Sequence, residues 1–104
     1  MILSTTDAVS GRTIVATIGL VRGSSVRSAH VGRDVMAKLK NLVGGEVTEY
    51  TKLLAESREQ ALDRMIEEAR ARGADAIVGL RFMSSDIGAD AAEMLAYGTA
   101  VRLG

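Results

Sequence analysis

The stretch Arg70-Ala71-Arg72-Gly73-Ala74-Asp75-Ala76-Ile77-Val78-Gly79 constrains the fold more than any other, because a helix has to stop and a strand has to start within it. Cationic side chains suit the last turn of a helix, where carbonyls lack partners, and Gly73 can take the left-handed conformation that closes one. The β-branched pair Ile77-Val78 then favours extended backbone. A chain with this segment is committed to an α/β junction only a few residues long.

The patterns on either side extend that junction into a fold. Thr13 to Val21 alternates as a strand does, with Ile14, Ala16, Ile18 and Leu20 on one face and Val15, Thr17, Gly19 and Val21 on the other. Both faces are apolar or small, which suits a strand covered on two sides. Gly11 and the run Gly23-Ser24-Ser25 punctuate its ends, and Ser4-Thr5-Thr6-Asp7 reads as a short leading strand and a turn. From Val31 the period becomes helical, with a stripe of Val31, Val35, Met36, Leu39, Leu42 and Val43 that ends at Gly44-Gly45.

A second, longer helix is expected from Glu46 to about Arg72, with Tyr50, Leu53, Leu54, Ala61, Leu62, Met65, Ile66 and Ala69 on its apolar side. Ala76 to Met83 is the next strand. After the polar connection Ser84 to Asp90, a last strand places Leu95, Tyr97, Thr99, Val101 and Leu103 on one side and Met94, Ala96, Gly98, Ala100 and Arg102 on the other. The small side invites close approach by another layer. Strand, strand, helix, helix, strand, strand predicts an α+β fold: a small, mainly antiparallel sheet with one long and one shorter helix on one face.

At 104 residues the chain has the size of one domain, 1–104, and no repeat or linker divides it. Lys plus Arg number 13 and Asp plus Glu 13, so no net field gathers nucleic acid or an anionic membrane, and neither is expected as a partner. No apolar run approaches the roughly 20 residues that span a bilayer, and Met1-Ile2-Leu3-Ser4-Thr5 has neither the basic start nor the length of a signal peptide. The expected location is cytoplasmic. Aromatic residues are few, Tyr50, Phe82 and Tyr97, so a core of Val, Ile, Leu, Ala and Met invites completion by neighbouring subunits.

Ser4-Thr5-Thr6, Thr13-Ile14-Val15, Arg33-Asp34, Val43-Gly44-Gly45, Tyr50, Arg58, Gly73 to Gly79 and Gly98-Thr99-Ala100-Val101, in this order and spacing, give the chain its resemblance to the YbjQ-like family. This is a bacterial group with a heavy-metal-binding label, and the resemblance covers nearly the whole chain. It implies a small α+β subunit, related in architecture to the dodecin subunit and assembled as a ring-like homopentamer. It implies no established reaction.

The metal label meets a chain with no cysteine and one histidine, His30. One imidazole and scattered carboxylates cannot close a stable N/S coordination sphere, so no tightly bound zinc or copper is expected per subunit. A site through His30 would have to be shared between subunits. An anion has more to recognise. Arg22-Gly23-Ser24-Ser25, read as a turn with Arg27 close by, offers guanidinium forks, hydroxyls and exposed amides. Because Arg33-Asp34 matches the family pattern, the pair adds candidates for an interface or pocket; neighbours on a helix do not face each other, so each seeks a partner elsewhere.

Glu56, Glu59, Glu67 and Glu68 share a helix with Arg58, Asp63 and Arg64 and read as an ion-laced outer face rather than acid/base machinery. The function expected is a non-catalytic homo-oligomer that binds a small anion or metal ion at subunit boundaries. The alternative is an enzyme, hydrolytic or other, that uses interface carboxylates.

Overall fold

The computed structural model describes residues 1–28, 48–86 and 91–104. In chain order these hold β1 (Ile2–Leu3), β2 (Ile14–Ser28), the helix α1 (Thr48–Ala71), β3 (Ala76–Asp86) and β4 (Ala91–Leu103). The shorter helix expected from Val31 to Val43 and the Gly44-Gly45 break lie outside the described residues. The strands form one sheet in the order β1-β3-β4-β2. β4 runs antiparallel to both β2 and β3, but β1 pairs parallel with β3, so the sheet is mixed rather than antiparallel throughout.

The junction behaves as its residues dictate. Gly73 takes φ of 78°, its amide donates to the Arg70 carbonyl, and the Ala74 amide donates back to the Ala69 carbonyl. That pair of bonds is the glycine-closed helix end in which orphan carbonyls regain donors. The next amide, of Asp75, already belongs to the sheet and donates to the Val101 carbonyl.

On α1 the residues Ser57, Ala61, Met65 and Ala69, four apart, are buried, while Glu56, Glu59, Asp63 and Glu67 are exposed. The row lies on the small side of β4. Val21, Ala61, Met65, Ala69, Ile77, Leu80, Ala96 and Ala100 form the core between helix and sheet, with Ile18, Leu62, Ile66 and Met94 around it. Leu54 is only half-buried. A smaller cluster of Ala76, Val78 and Val101 packs with Val9, Ile14 and Leu103 on the opposite face, under the leading segment.

Three expectations about β2 and its neighbours are corrected. First, the leading strand is Ile2–Leu3 rather than Ser4 to Asp7. Residues 4–6 instead lie along β3, where the Gly79 amide donates to the Thr6 carbonyl and the Leu80 amide to the Ser4 carbonyl.

Second, Gly23-Ser24-Ser25 is not a turn, because β2 runs through it to Ser28. Gly23 is buried there against the backbone of α1: a Cβ would run into the Ala61 carbonyl and the Met65 amide nitrogen. The residue supplies space, not a bend. Ser84 to Asp86 likewise belong to β3.

Third, strict alternation fails. The β2–β4 register shifts between Ile14 and Ala16 and again between Thr17 and Gly19, where Gly19 has φ of 131°. One extra residue exchanges the faces of the residues after it, and a second restores them. Only the stretch between the shifts is exchanged: Thr17 pairs with Val101 on the face away from the helix and Ile18 packs against the main core, whereas beyond it Leu20 again shares the face of Ile14 and Val21 lies in the core, as alternation predicts. The single shift between Val78 and Arg81 exchanges the faces of β3 from there on. There Leu80 goes to the core side, and Arg81 and Met83 pair with Tyr97 and Leu95 on the far side.

Candidate functional site

The shift in β3 brings Arg81 to a sheet face where alternation alone does not place it. On the side away from α1, Arg22 of β2 stands directly opposite Tyr97 of β4, and Tyr97 stands directly opposite Arg81 of β3. Opposed residues in adjacent strands bring their Cβ atoms to about 4.5–5.5 Å, so the three make one continuous row. Leu20 and Thr99 precede this row and Ser24, Leu95 and Met83 follow it.

Arg22 is exposed and Tyr97 half-buried. Among the described residues neither side chain has a hydrogen-bond or ion-pair partner. Arg81 is tethered instead, since its Nη1 donates to the Thr5 carbonyl at 2.8 Å and to its neighbour's Leu80 carbonyl at 2.9 Å.

Of the serines expected to act with Arg22, Ser24 shares its sheet face, one row away and opposite Leu95, and Ser25 does not. Ser24 offers its backbone carbonyl to Arg64 of α1. Ser25 is fully buried on the helix side, where its hydroxyl donates to Gln60 Oε1 at 2.7 Å and lies 3.2 Å from the Ser57 hydroxyl. It therefore joins a polar lock between β2 and α1. Of the remaining expected site residues, His30, Arg33 and Asp34 lie outside the described residues, as do the side chains of Arg27 and Tyr50.

Arg72, at the end of α1, donates Nη1 to the Leu20 carbonyl at 2.8 Å and Nη2 to the Ile18 carbonyl at 3.1 Å. Together with Arg64 it occupies carbonyls of β2, the edge strand of the sheet. Such engagement blunts an edge against further strand pairing.

The acidic residues of α1 stay on its solvent side, and the one ion pair formed there among the described residues is Glu68 with Arg72, at 4.0 Å. Among the described residues no group of three or more His, Cys, Asp or Glu side chains is placed to hold a metal ion. The donor chemistry of these residues does not fit a soft or borderline metal, which calls for thiolate and imidazole. No helix among them is long and apolar enough to cross a membrane.

Sequence reasoning found Arg22 but not Tyr97, Arg81, Ser57 or Gln60 as its neighbours or those of Ser25. The available signal was the alternation of β4, which puts Tyr97 opposite to the small side. Which residues flank it depends on register.

Comparison with known proteins places these observations among relatives. A family model with the description "Putative heavy-metal-binding" matches residues 1–104. A protein of Methanosarcina acetivorans named UPF0145 protein is 52% identical over 103 residues, covering 99% of this chain and 97% of its own. Another of that name from Fervidobacterium nodosum is 58% identical over 103 residues, covering 99% and 95%. Similar archaeal sequences, that of Archaeoglobus fulgidus included, take the group beyond the bacteria expected from the resemblance.

A solved structure from Pediococcus pentosaceus, a protein of unknown function in the DUF74 family, aligns over 100% of this chain and 98% of its own with a TM-score of 0.65 and 16% identity. At that identity the likeness is one of fold: a small α+β architecture.

Proposed function

The chain belongs to the YbjQ family, and from that membership we propose that it works as a non-catalytic homopentamer, ring-like and akin in subunit architecture to dodecin, that binds a small ligand where subunits meet. The carrying observation is the shape of the single subunit. Its radius of gyration is 16.9 Å and its extents are 54 × 28 × 16 Å, whereas a compact chain of this length has a radius near about 13 Å. Leu20, Val26 and Met83 on the open sheet face are 59%, 55% and 55% exposed, and Phe82 on the helix side is 44% exposed. Large apolar side chains spread along an elongated sheet support a subunit that is completed by copies of itself.

Of the two ligand classes, the residues favour an anion. Arg22, with Ser24, Arg27 and Arg33 as further candidates and Asp34 as a counter-charge, offers guanidinium forks of the kind that bind carboxylate or phosphate. A metal ion would depend on His30 gathered from several subunits.

Light scattering coupled to size exclusion tests the assembly: the expected mass is five times the 11.0 kDa subunit, and a monomer mass at micromolar concentration rejects it. Calorimetric titration with zinc tests the metal reading. Stoichiometric binding, if seen, is expected to vanish in His30→Ala, and submicromolar binding that survives this substitution would make carboxylates the ligands.

A further inference from the structure

We propose that the open sheet face holds an oxyanion joined to a flat apolar body, with Arg22 and Tyr97 binding the oxyanion and Arg81 closing the rim. The proposal rests on the ligand-binding reading above and gives that reading its site and its ligand class.

The row Arg22–Tyr97–Arg81 collects two guanidinium groups and a phenol on three adjacent strands. The Arg22 fork and the Tyr97 hydroxyl have no partners among the described residues. Arg81 spends its Nη1 on the Thr5 and Leu80 carbonyls, which fixes its direction and leaves Nε and Nη2 to donate. Guanidinium is the donor that matches the planar spacing of carboxylate or phosphate oxygens, and it stays charged at any working pH.

The neighbouring rows decide the sign and the shape of the ligand. Leu20, Thr99 and Val78 lie on one side and Ser24, Leu95 and Met83 on the other, with no carboxylate among them. On this face Glu93 is two rows from Tyr97, opposite Val26, and Asp7 of the leading segment has its Oδ1 4.0 Å from where a Cβ on Gly79 would lie, beside Arg81 rather than Arg22. The row and its flanks thus carry two cations and no carboxylate although the whole chain is neutral, which suits an anion better than a metal cation. Leu20 and Met83 are exposed and Leu95 half-buried. A bare anion would make no use of these side chains, whereas a flat apolar body lying over them, at the boundary with a neighbouring copy, gains burial in addition to the charged hydrogen bonds.

The test is calorimetry at low salt with three probes, phenyl phosphate, inorganic phosphate and benzylammonium, on the full chain and on Arg22→Gln, Tyr97→Phe and Arg58→Gln, with the mass of each variant measured in parallel. Phenyl phosphate is expected to bind at least about tenfold more tightly than inorganic phosphate, and benzylammonium not to bind. Arg22→Gln is expected to weaken phenyl phosphate by about tenfold or more and Tyr97→Phe by about threefold, as charged and neutral hydrogen bonds do. Arg58→Gln, on the outer side of α1, is expected to leave it unchanged.

Equal affinity for the two phosphates, no binding by the parent chain, or an Arg22→Gln variant that binds like the parent overturns the proposal. So does a loss of assembly mass in Arg22→Gln, because the row would then serve carboxylates of a second copy. If the pattern of affinities holds in a chain that proves monomeric, the site stands and the pentameric reading falls.

Discussion

Gly23 and Arg72 show how little tolerance there is where the helix meets the edge strand. At Gly23 a Cβ would meet backbone atoms of Ala61 and Met65 and come within 2.8 Å of the Arg64 Cβ, and none of these can rotate out of the way. Gly23→Ala is expected to destabilise the subunit by about 1–3 kcal/mol, the range typical of overpacking. A fall in the denaturant midpoint without a change of slope would measure it.

Arg72 acts through the two carbonyls it holds at the Gly19 bulge. Its side chain is 41% exposed, so solvent weakens the bonds, and Arg72→Met is expected to cost only about 1 kcal/mol. Arg72→Lys should not restore the loss, since a single ammonium cannot span both carbonyls as the fork does.

At the scale of elements, α1 is held by a narrow row with one large side chain, Met65, among small ones. Met65→Ala leaves a cavity that neighbouring alanines cannot fill and is expected to cost about 2–4 kcal/mol in thermal or denaturant unfolding. The helix and its end were legible in the sequence because local chemistry decides them: periodicity, cationic last turn, glycine stop. β4 was legible for the same reason, its alternation being unbroken.

β2 was not. Three small residues at Gly23 to Ser25 have the chemistry of a turn, and only the helix packed on Gly23 and the buried Ser25–Gln60 bond reveal another use. The candidate site was half legible on similar grounds. Arg22 is visible as a cation beside small hydroxyl residues, but its union with Tyr97 and Arg81 depends on pairing between distant strands and on the β3 shift that turns Arg81 to their face. No local pattern encodes either.

At the scale of the whole molecule, the separation of two faces makes a sharp prediction. Leu20 is exposed in the subunit, so Leu20→Asp is expected to leave far-ultraviolet circular dichroism unchanged while lowering the assembly mass. An unchanged mass would mean that the open face takes no part in assembly. The strand order has a further consequence, for synthesis. β4 lies between β2 and β3, yet it comes after both in the chain. While a ribosome is still building it, β2 waits without its ladder and α1 without the alanine floor contributed by Ala96 and Ala100. Pairing over such long sequence separations is slow because loop closure precedes any reward. The nascent subunit therefore acquires its sheet late and in one step, and this interval is when a chaperone would find the most to hold.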